Sequence, residues 1–146
     1  MLEAALHRNL RDYPLDLNLR VKPGEILVLM GENGSGKSTV LNIISGLLMP
    51  DTGSIALNGI PFFDSAKEID LPVEDRNIGY VLQKPAVFPH LTVSENIAYG
   101  LKARRKPKGL VGAKVNHWMR VIDIEGLAQV QAANLSGGQK QKAALA

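Results

Sequence analysis

The sequence predicts an α/β domain with a parallel sheet at its core, and three observations support that fold class. Leu15, Leu17 and Leu19 alternate with polar residues, which is the period of a half-buried strand. The continuous apolar run at residues 26–30 (Ile-Leu-Val-Leu-Met) is typical of a strand buried on both faces. A glycine-rich loop and an apolar helical segment follow that run directly. We therefore expect an N-terminal antiparallel β region, a parallel core and a helical subdomain.

The remaining elements are predicted from periodicity and turn residues. Asn58-Gly59 is a strong hairpin turn after a short strand at residues 54–57. Val115, Trp118 and Ile122 recur at helical spacing and are expected on one face of a helix. The other predicted elements are a helix through residues 40–48, a strand at 78–82, helices at 93–101 and 114–124, and the start of a helix at 138–146.

Composition limits the classes of protein to which the chain can belong. The 146 residues, 45% hydrophobic and 21% charged, predict one globular domain. No apolar stretch is long enough to span a bilayer, and the first residues do not resemble a signal peptide, so a cytoplasmic protein is the simplest inference. Without cysteine, a disulfide framework and a cysteine-ligated metal are excluded. The net charge of +3 is modest and supports no conclusion about nucleic acid, and we expect no nucleic-acid partner.

A basic run, Arg-Arg-Lys-Pro-Lys-Gly at residues 104–109, lies between two predicted helices. Such a run can contact phosphate or anionic lipid. The simpler interpretation is a solvated loop that is broken by Pro107.

The segment from residue 31 to 38 fits the pattern glycine, four residues, Gly-Lys-Ser. Glycines let backbone N–H groups surround a triphosphate, and the start of the following helix favours an anion. Lys37 is expected to reach the β- and γ-phosphates and to be catalytic, and Ser38 to bind Mg²⁺. Thr39 contacts the α-phosphate or caps the helix. The predicted cofactor-binding residues here are Gly31, Asn33, Gly34, Ser35, Gly36, Lys37, Ser38 and Thr39.

A second glycine motif, Leu135-Ser136-Gly137-Gly138-Gln139, lies just before the last predicted helix. A hydroxyl, bare backbone amides and a helix N-terminus form another anion-binding arrangement. By itself, the motif could also be an ordinary Ser-Gly-Gly helix entry.

Together, the two motifs resemble the nucleotide-binding domain of ATP-binding-cassette (ABC) proteins. In that family two domains sandwich two ATP molecules, so the resemblance implies ATP and Mg²⁺ as cofactors and a homodimer in which Ser136, Gly137, Gly138 and Gln139 act in trans. By the same resemblance Gln83 contacts Mg²⁺ or the attacking water, and Tyr13 stacks on adenine. Taken alone, Gln83 is more typical of ordinary surface.

Three short segments are similar to importers of this family, and most of all to molybdate importer ATPases. The resemblance implies an ATP-hydrolysing subunit that drives uptake of molybdate or a related oxyanion. It also implies a membrane permease partner, an indirect substrate-binding protein, and a peripheral position on the inner face of the membrane. His90 belongs to one of these segments and is not the family's catalytic histidine. The segments are residues 63–81, 88–91 and 96–100.

Two departures from the family pattern accompany this resemblance. Lys142 stands where importers usually carry arginine, which keeps the charge but loses the bidentate fork. The family's Mg²⁺-ordering aspartate, catalytic glutamate and γ-phosphate histidine would follow Ala146. We therefore expect residues 1–146 to be a partial domain, with its helical subdomain at about 93–136. We expect it to bind ATP weakly or not at all and to be inactive alone. The alternatives are a non-catalytic remnant and a soluble, non-transport ABC ATPase, whose long coiled coils are missing here.

Overall fold

The computed structural model describes residues 1–11 and 13–146, which divide into two units, Met1–Gly79 and Tyr80–Ala146. Among its described residues, the first unit contains one antiparallel sheet of five strands, one α-helix and a short 3-10 helix (Val73–Asp75). In chain order the other elements are β1 (Leu2–Asn9), β2 (Pro14–Val21), α1 (Lys37–Ser45), β3 (Thr52–Leu57), β4 (Ile60–Asp64) and β5 (Ile69–Asp70). The strands lie in the order β2-β1-β3-β4-β5 across the sheet.

Alternating burial explains the sheet. In β2 the leucines are half-buried and the residues between them are exposed, as the period of two predicts. Leu6 of β1, which is buried, lies opposite Leu17 in the antiparallel ladder. The predicted hairpin is confirmed: Asn58 (φ 51°) and Gly59 (φ 79°) form the two-residue turn between β3 and β4.

Helix α1 covers one face of this sheet through Ile43, which is fully buried. The predicted helical segment extended to residue 48, but α1 ends at Ser45 because Gly46 adopts a left-handed conformation (φ 86°). The N–H of Gly46 then donates to the carbonyl of Ile43 at 3.1 Å. The buried residues that pack with Ile43 are Ala4, Leu6, Ile55, Phe62 and Phe63.

The two strands predicted at residues 26–30 and 78–82, the first of them as part of a parallel core, are wrong for the described part of the chain. Both segments lie outside regular secondary structure. Ile26 and Met30 are 92% and 88% exposed, so the apolar run is not buried. A strand forms only where a neighbour completes its hydrogen-bond ladder, and no described segment pairs with either run. The α/β fold class and the N-terminal antiparallel region are confirmed.

The second unit is helical, with α2 (Val93–Ala103), α3 (Lys108–Val121) and α4 (Gly137–Leu145). Helix α3 begins six residues earlier than predicted, because Pro107 fits the position before a helix. Its buried face carries Val111, Val115 and Met119, whereas Trp118, predicted beside Val115, is 38% exposed. The core of the unit also contains Val93, Ile97, Ala98, Ile124, Ala132, Leu135 and Ala143. None of the described helices has the length and apolar character to cross a membrane.

Candidate functional site

The glycine-rich loop lies in the first unit and leads directly into α1. Gly34 (φ 87°) and Gly36 (φ 86°) both adopt the left-handed conformation that side chains disfavour. A Cβ at Gly36 would also be in van der Waals contact with the Leu15 side chain, at 3.4 Å. Within the loop, the N–H of Ser35 donates to the carbonyl of Glu32 at 3.2 Å. The loop conformation therefore depends on glycine where the sequence pattern places it.

The N-terminus of α1 is left open by the chain. Gly36 is the residue before the helix and offers no side-chain cap, and the first turn holds no acidic residue. The first helical bond runs from the N–H of Val40 to the carbonyl of Gly36, at 2.9 Å. Among the described residues, the N–H groups of Lys37, Ser38 and Thr39 have no acceptor. Three unpaired donors and the positive end of a helix dipole form a site for an anion.

Lys37 adds a positive charge to this site. Its ammonium group donates to the carbonyls of Gly31 at 2.8 Å and Glu32 at 2.6 Å, and to the Ser35 hydroxyl at 3.2 Å. All three of its donors are therefore directed into the loop. An anion that enters the loop would meet this charge at the position where the chain already holds it.

Tyr13 contacts the same loop, because its hydroxyl donates to the carbonyl of Gly34. The ring is 38% exposed, and its stacking on adenine stays a prediction. The alternative that Thr39 caps α1 is wrong, since the capping position belongs to Gly36. The contact of Thr39 with an α-phosphate stays a prediction, as do the predicted contacts of Asn33 and Ser35.

The second glycine motif forms the start of α4 in the other unit. The N–H of Gln139 donates to the Ser136 hydroxyl at 3.3 Å, and the N–H of Ser136 donates to the Gln139 side chain at 2.9 Å. This reciprocal pair is a capping box, which a Ser-x-x-Gln pattern predicts. Space around Gly137 and Gly138 is open: a Cβ at either position would meet no atom within 4 Å. Sequence reasoning identified the motif but missed this role of Gln139.

The predicted Mg²⁺ ligands, Ser38 and Gln83, belong to different units, and the structure does not test their pairing. Ser38 is exposed in the first turn of α1 and offers one hydroxyl oxygen. Gln83 is exposed in a segment without regular structure. The described residues contain no group of three or more His, Cys, Asp or Glu that could hold a metal. A single protein hydroxyl is compatible with Mg²⁺ that is otherwise held by water and substrate phosphates.

Arg76 stabilises α1 from its C-terminal end, and sequence reasoning missed this role. The side chain is 3% exposed. Its guanidinium donates to the carbonyls of Ile43 at 3.1 Å and Ile44 at 3.0 Å, in the last turn of the helix. The same group donates to the carbonyl of Leu71 at 2.9 Å and pairs with Asp70 at 3.1 Å. No local pattern indicates the contact with α1, because Ile43 and Ile44 lie more than thirty positions away in the chain.

Asn96 and Lys142 also make contacts that sequence reasoning missed. The Asn96 side chain accepts from the N–H of Phe88 at 2.7 Å and donates to the carbonyl of Thr92 at 2.9 Å, which fixes the loop before α2. The signal was present, since Thr92-x-x-Glu95 is a capping box that places Asn96 in the first turn. Lys142 donates to the carbonyl of Asp123 at 3.4 Å, a contact that needs one donor and no bidentate fork.

The sequence and the fold both match known ABC proteins. The family model described as ABC transporter matches residues 15–146. A sulfate/thiosulfate import ATP-binding protein of Gloeobacter violaceus is 42% identical over 131 residues, which are 90% of this chain and 36% of that protein. A molybdenum import ATP-binding protein of Mycobacterium tuberculosis is 37% identical over 150 residues, covering 100% of this chain and 41% of that protein. The chain thus spans well under half the length of these curated relatives.

Two solved structures extend the comparison to the fold. The cbiO1 protein of Clostridium perfringens, part of an ABC transporter complex, aligns with a TM-score of 0.81 and 28% identity, over 99% of this chain and 59% of that one. A dimeric ATP-binding cassette in a post-hydrolysis state, bound to ADP and phosphate, aligns with a TM-score of 0.77 and 27% identity, over 99% of this chain and 67% of that one. Because the family model covers residues 15–146, the chain belongs to the ABC transporter family.

Proposed function

We propose that this chain is the phosphate-binding part of an ATP-hydrolysing subunit of an ABC importer. One observation carries the proposal: the unpaired N–H groups of Lys37, Ser38 and Thr39 lie at the start of α1 beside the Lys37 ammonium. A triphosphate is a multiply charged anion that these donors and this charge would complement. In the proposed assignment residues 1–146 are a partial nucleotide-binding domain, with a helical subdomain at about 93–136.

The residues of the loop and those predicted to act with it have different roles in this proposal. The amides of the glycine-rich loop and of the first turn of α1 hold phosphate oxygens, and Lys37 exchanges its loop carbonyls for the β- and γ-phosphates. Ser38 offers its hydroxyl to Mg²⁺, which would neutralise phosphate charge when bound. Tyr13, which is tied to the loop at Gly34, lies at the edge of the site and supports the base. Gln83 would assist at the metal or the water.

The start of α4 is proposed to complete the site of a second copy of this domain. Gly137 and Gly138 are helical positions without positive φ, and a Cβ at either position would meet no atom of another part of the described chain within 4 Å. Glycine there lowers helix propensity by up to about 1 kcal/mol relative to alanine, and the chain's own packing does not require it. Glycine at these two positions would be required if a phosphate group from another molecule approached the backbone there. Ser136 accepts from Gln139 and still has its hydroxyl proton to donate.

The proposed cargo is a tetrahedral oxyanion, with molybdate as the specific prediction. Relatives named as sulfate/thiosulfate importers are 39% to 44% identical, and relatives named as molybdenum importers are 37% to 40% identical, so identity does not discriminate between them. The subunit would work on the cytoplasmic face of a membrane, against permease subunits that receive the oxyanion from a substrate-binding protein.

Uptake by cells tests this proposal. Deletion of the gene should abolish accumulation of labelled molybdate at trace concentration, and the gene with Lys37→Ala should fail to restore it. A gene with Lys22→Ala, which changes an exposed lysine outside the loop, serves as the control and should restore uptake. Loss of sulfate uptake with normal molybdate uptake would show that the cargo is sulfate, and the proposed importer function would still hold. Normal uptake of both oxyanions in the deletion strain would contradict the importer.

A further inference from the structure

A groove of about 540 Å³ lies between α2 and α3 in the second unit, and its lining includes no residue of the start of α4. Its floor is apolar and is formed by Ala98, Val111 and Val115, which are buried in the core of the unit. This volume is within the range of small-molecule sites. The other residues that line it are Ser94, Glu95, Lys102, Lys106, Lys108, Gly112 and Asn116.

Three lysines lie at one end of the groove. Lys102 is in the last turn of α2, Lys106 in the short connection, and Lys108 is the first residue of α3. None of the three forms an ion pair with a described residue. Glu95, the one acidic residue of the lining, already accepts from the N–H of Thr92 at 2.8 Å and from its hydroxyl at 3.0 Å. Glu95 offsets only one of the three lysine charges, so the groove has a net positive lining beside an apolar floor.

Gly112 keeps the groove open. It lies in the interior of α3, has no positive φ, and a Cβ there would meet no atom within 4 Å. Glycine in a helix interior costs about 0.8–1.0 kcal/mol relative to alanine, and neither backbone conformation nor packing explains it here. A larger side chain at this position would extend into the groove. An open groove therefore explains why glycine occupies position 112.

We propose that this groove binds an anionic amphiphile, with its carboxylate or phosphate head at Lys102, Lys106 and Lys108 and its alkyl chain on Ala98, Val111 and Val115. The proposal interprets the basic run at residues 104–109 as the flank of a binding site. The shared chemistry is a head group with one or two negative charges on an alkyl chain. Such a molecule is either free in solution or part of a lipid surface, and the experiment separates these sources.

The test is a titration of the 146-residue chain, labelled with ¹⁵N, with dodecanoate below its micelle-forming concentration. Amide shifts are expected at the residues of the groove, with Gly112 among them. Uncharged dodecanol and the short-chain anion butanoate should each bind about tenfold more weakly, because each lacks one of the two complementary parts. The Lys102→Ala/Lys108→Ala double variant should weaken dodecanoate binding by about tenfold.

Matched variants distinguish specific binding in the groove from effects of overall charge or of added side-chain volume elsewhere on the helix. Lys114→Ala removes an exposed lysine of α3 that does not line the groove, and affinity should stay unchanged. Gly112→Leu should abolish binding, whereas Ala113→Leu adds the same bulk outside the lining and should not. Circular dichroism confirms that each variant keeps its helices. Equal affinity of the double variant and the Lys114→Ala variant, or shifts outside the groove, would overturn the proposal.

Sedimentation with vesicles identifies the source of the ligand. Vesicles of phosphatidylglycerol that bind the chain, and bind the double variant less, would make a lipid surface the source. Binding of dodecanoate without vesicle binding would make a free amphiphile the source. Absence of both would contradict the proposal.

Discussion

Helices α1 and α4 both begin at a glycine motif, but other parts of the chain stabilise them at opposite ends. Helix α1 is fixed at its C-terminal end, where Gly46 closes the last turn and Arg76 donates to the carbonyls of Ile43 and Ile44. Its N-terminus has no side-chain cap. Helix α4 is fixed at its N-terminus, where Ser136 and Gln139 cap each other.

This difference explains what each motif can do. Unpaired N–H groups at α1 can bind an anion without breaking any protein hydrogen bond. At α4, one backbone donor of the first turn is already satisfied by Ser136, so the chain offers a hydroxyl proton and the open space at Gly137 and Gly138. The loop before α1 is therefore suited to be a primary phosphate site. The start of α4 is suited to complete such a site.

The largest expected effect is on the anchored end of α1. Arg76→Met should lower the free energy of unfolding of the first unit by about 3 kcal/mol, because four buried donors are removed from their acceptors. Urea unfolding followed by circular dichroism measures this change. Arg120→Met is the control, since its ion pair with Glu125 is exposed and long (3.5 Å), and the expected loss is below about 0.5 kcal/mol. Equal losses in the two variants would refute the role assigned to Arg76.

The second effect concerns the open end of α1. Lys37→Ala should weaken ATP binding by about 2 kcal/mol, or roughly 30-fold, because the charge that faces the phosphates is removed. Titration calorimetry on the 146-residue chain measures it. Lys22→Ala removes an exposed lysine of the same unit and should leave affinity unchanged. An unaltered affinity for Lys37→Ala would contradict the phosphate site.

The cap of α4 should contribute less. Ser136→Ala should destabilise the helix by about 1 kcal/mol, because the N–H of Gln139 loses its acceptor. Hydrogen exchange at that amide measures the change, and Ser136→Thr, which keeps an acceptor oxygen, should retain most of the protection. Unchanged protection in the alanine variant would show that the capping box is not formed in solution.

The smallest effect distinguishes the caps of α2 and α4 by pH. Hydrogen bonds from Thr92, first from its N–H and then from its hydroxyl, lower the pKa of Glu95 below its usual range. A lowered pKa contributes stability at neutral pH that is lost as the pH falls through the value in the folded state. The N–H of Thr92, which donates to the Glu95 carboxylate, should therefore lose exchange protection in acid, whereas that of Ser136, whose acceptor is the Gln139 side chain and does not titrate, should lose none. Parallel loss at both amides would contradict this assignment.

Local patterns predicted much of the site and part of the fold. The loop glycines, the helix after Lys37 and the Asn58-Gly59 hairpin each depend on nearby residues, and the structure contains all three. Strand β1 was not predicted, because its own residues show no clear strand pattern and it is stabilised by pairing with β2 and β3. The predicted strand at residues 26–30 is wrong for a related reason. Apolar side chains indicate that a segment can be buried, but burial also requires neighbouring segments that cover it. The contact of Arg76 with the last turn of α1 was missed because Ile43 and Ile44 are distant from it in sequence.

The central claim, that the start of α1 is the primary phosphate site, is tested most directly by nuclear magnetic resonance. The ¹⁵N-labelled chain is titrated separately with ATP, inorganic triphosphate and adenosine. ATP and triphosphate should shift the amide signals of residues 31–39, with the largest changes at Lys37, Ser38 and Thr39, whose N–H groups lack acceptors among the described residues. Adenosine should leave these amides in place. Shifts from adenosine equal to those from triphosphate, or no shift in the loop at saturating triphosphate, would contradict it.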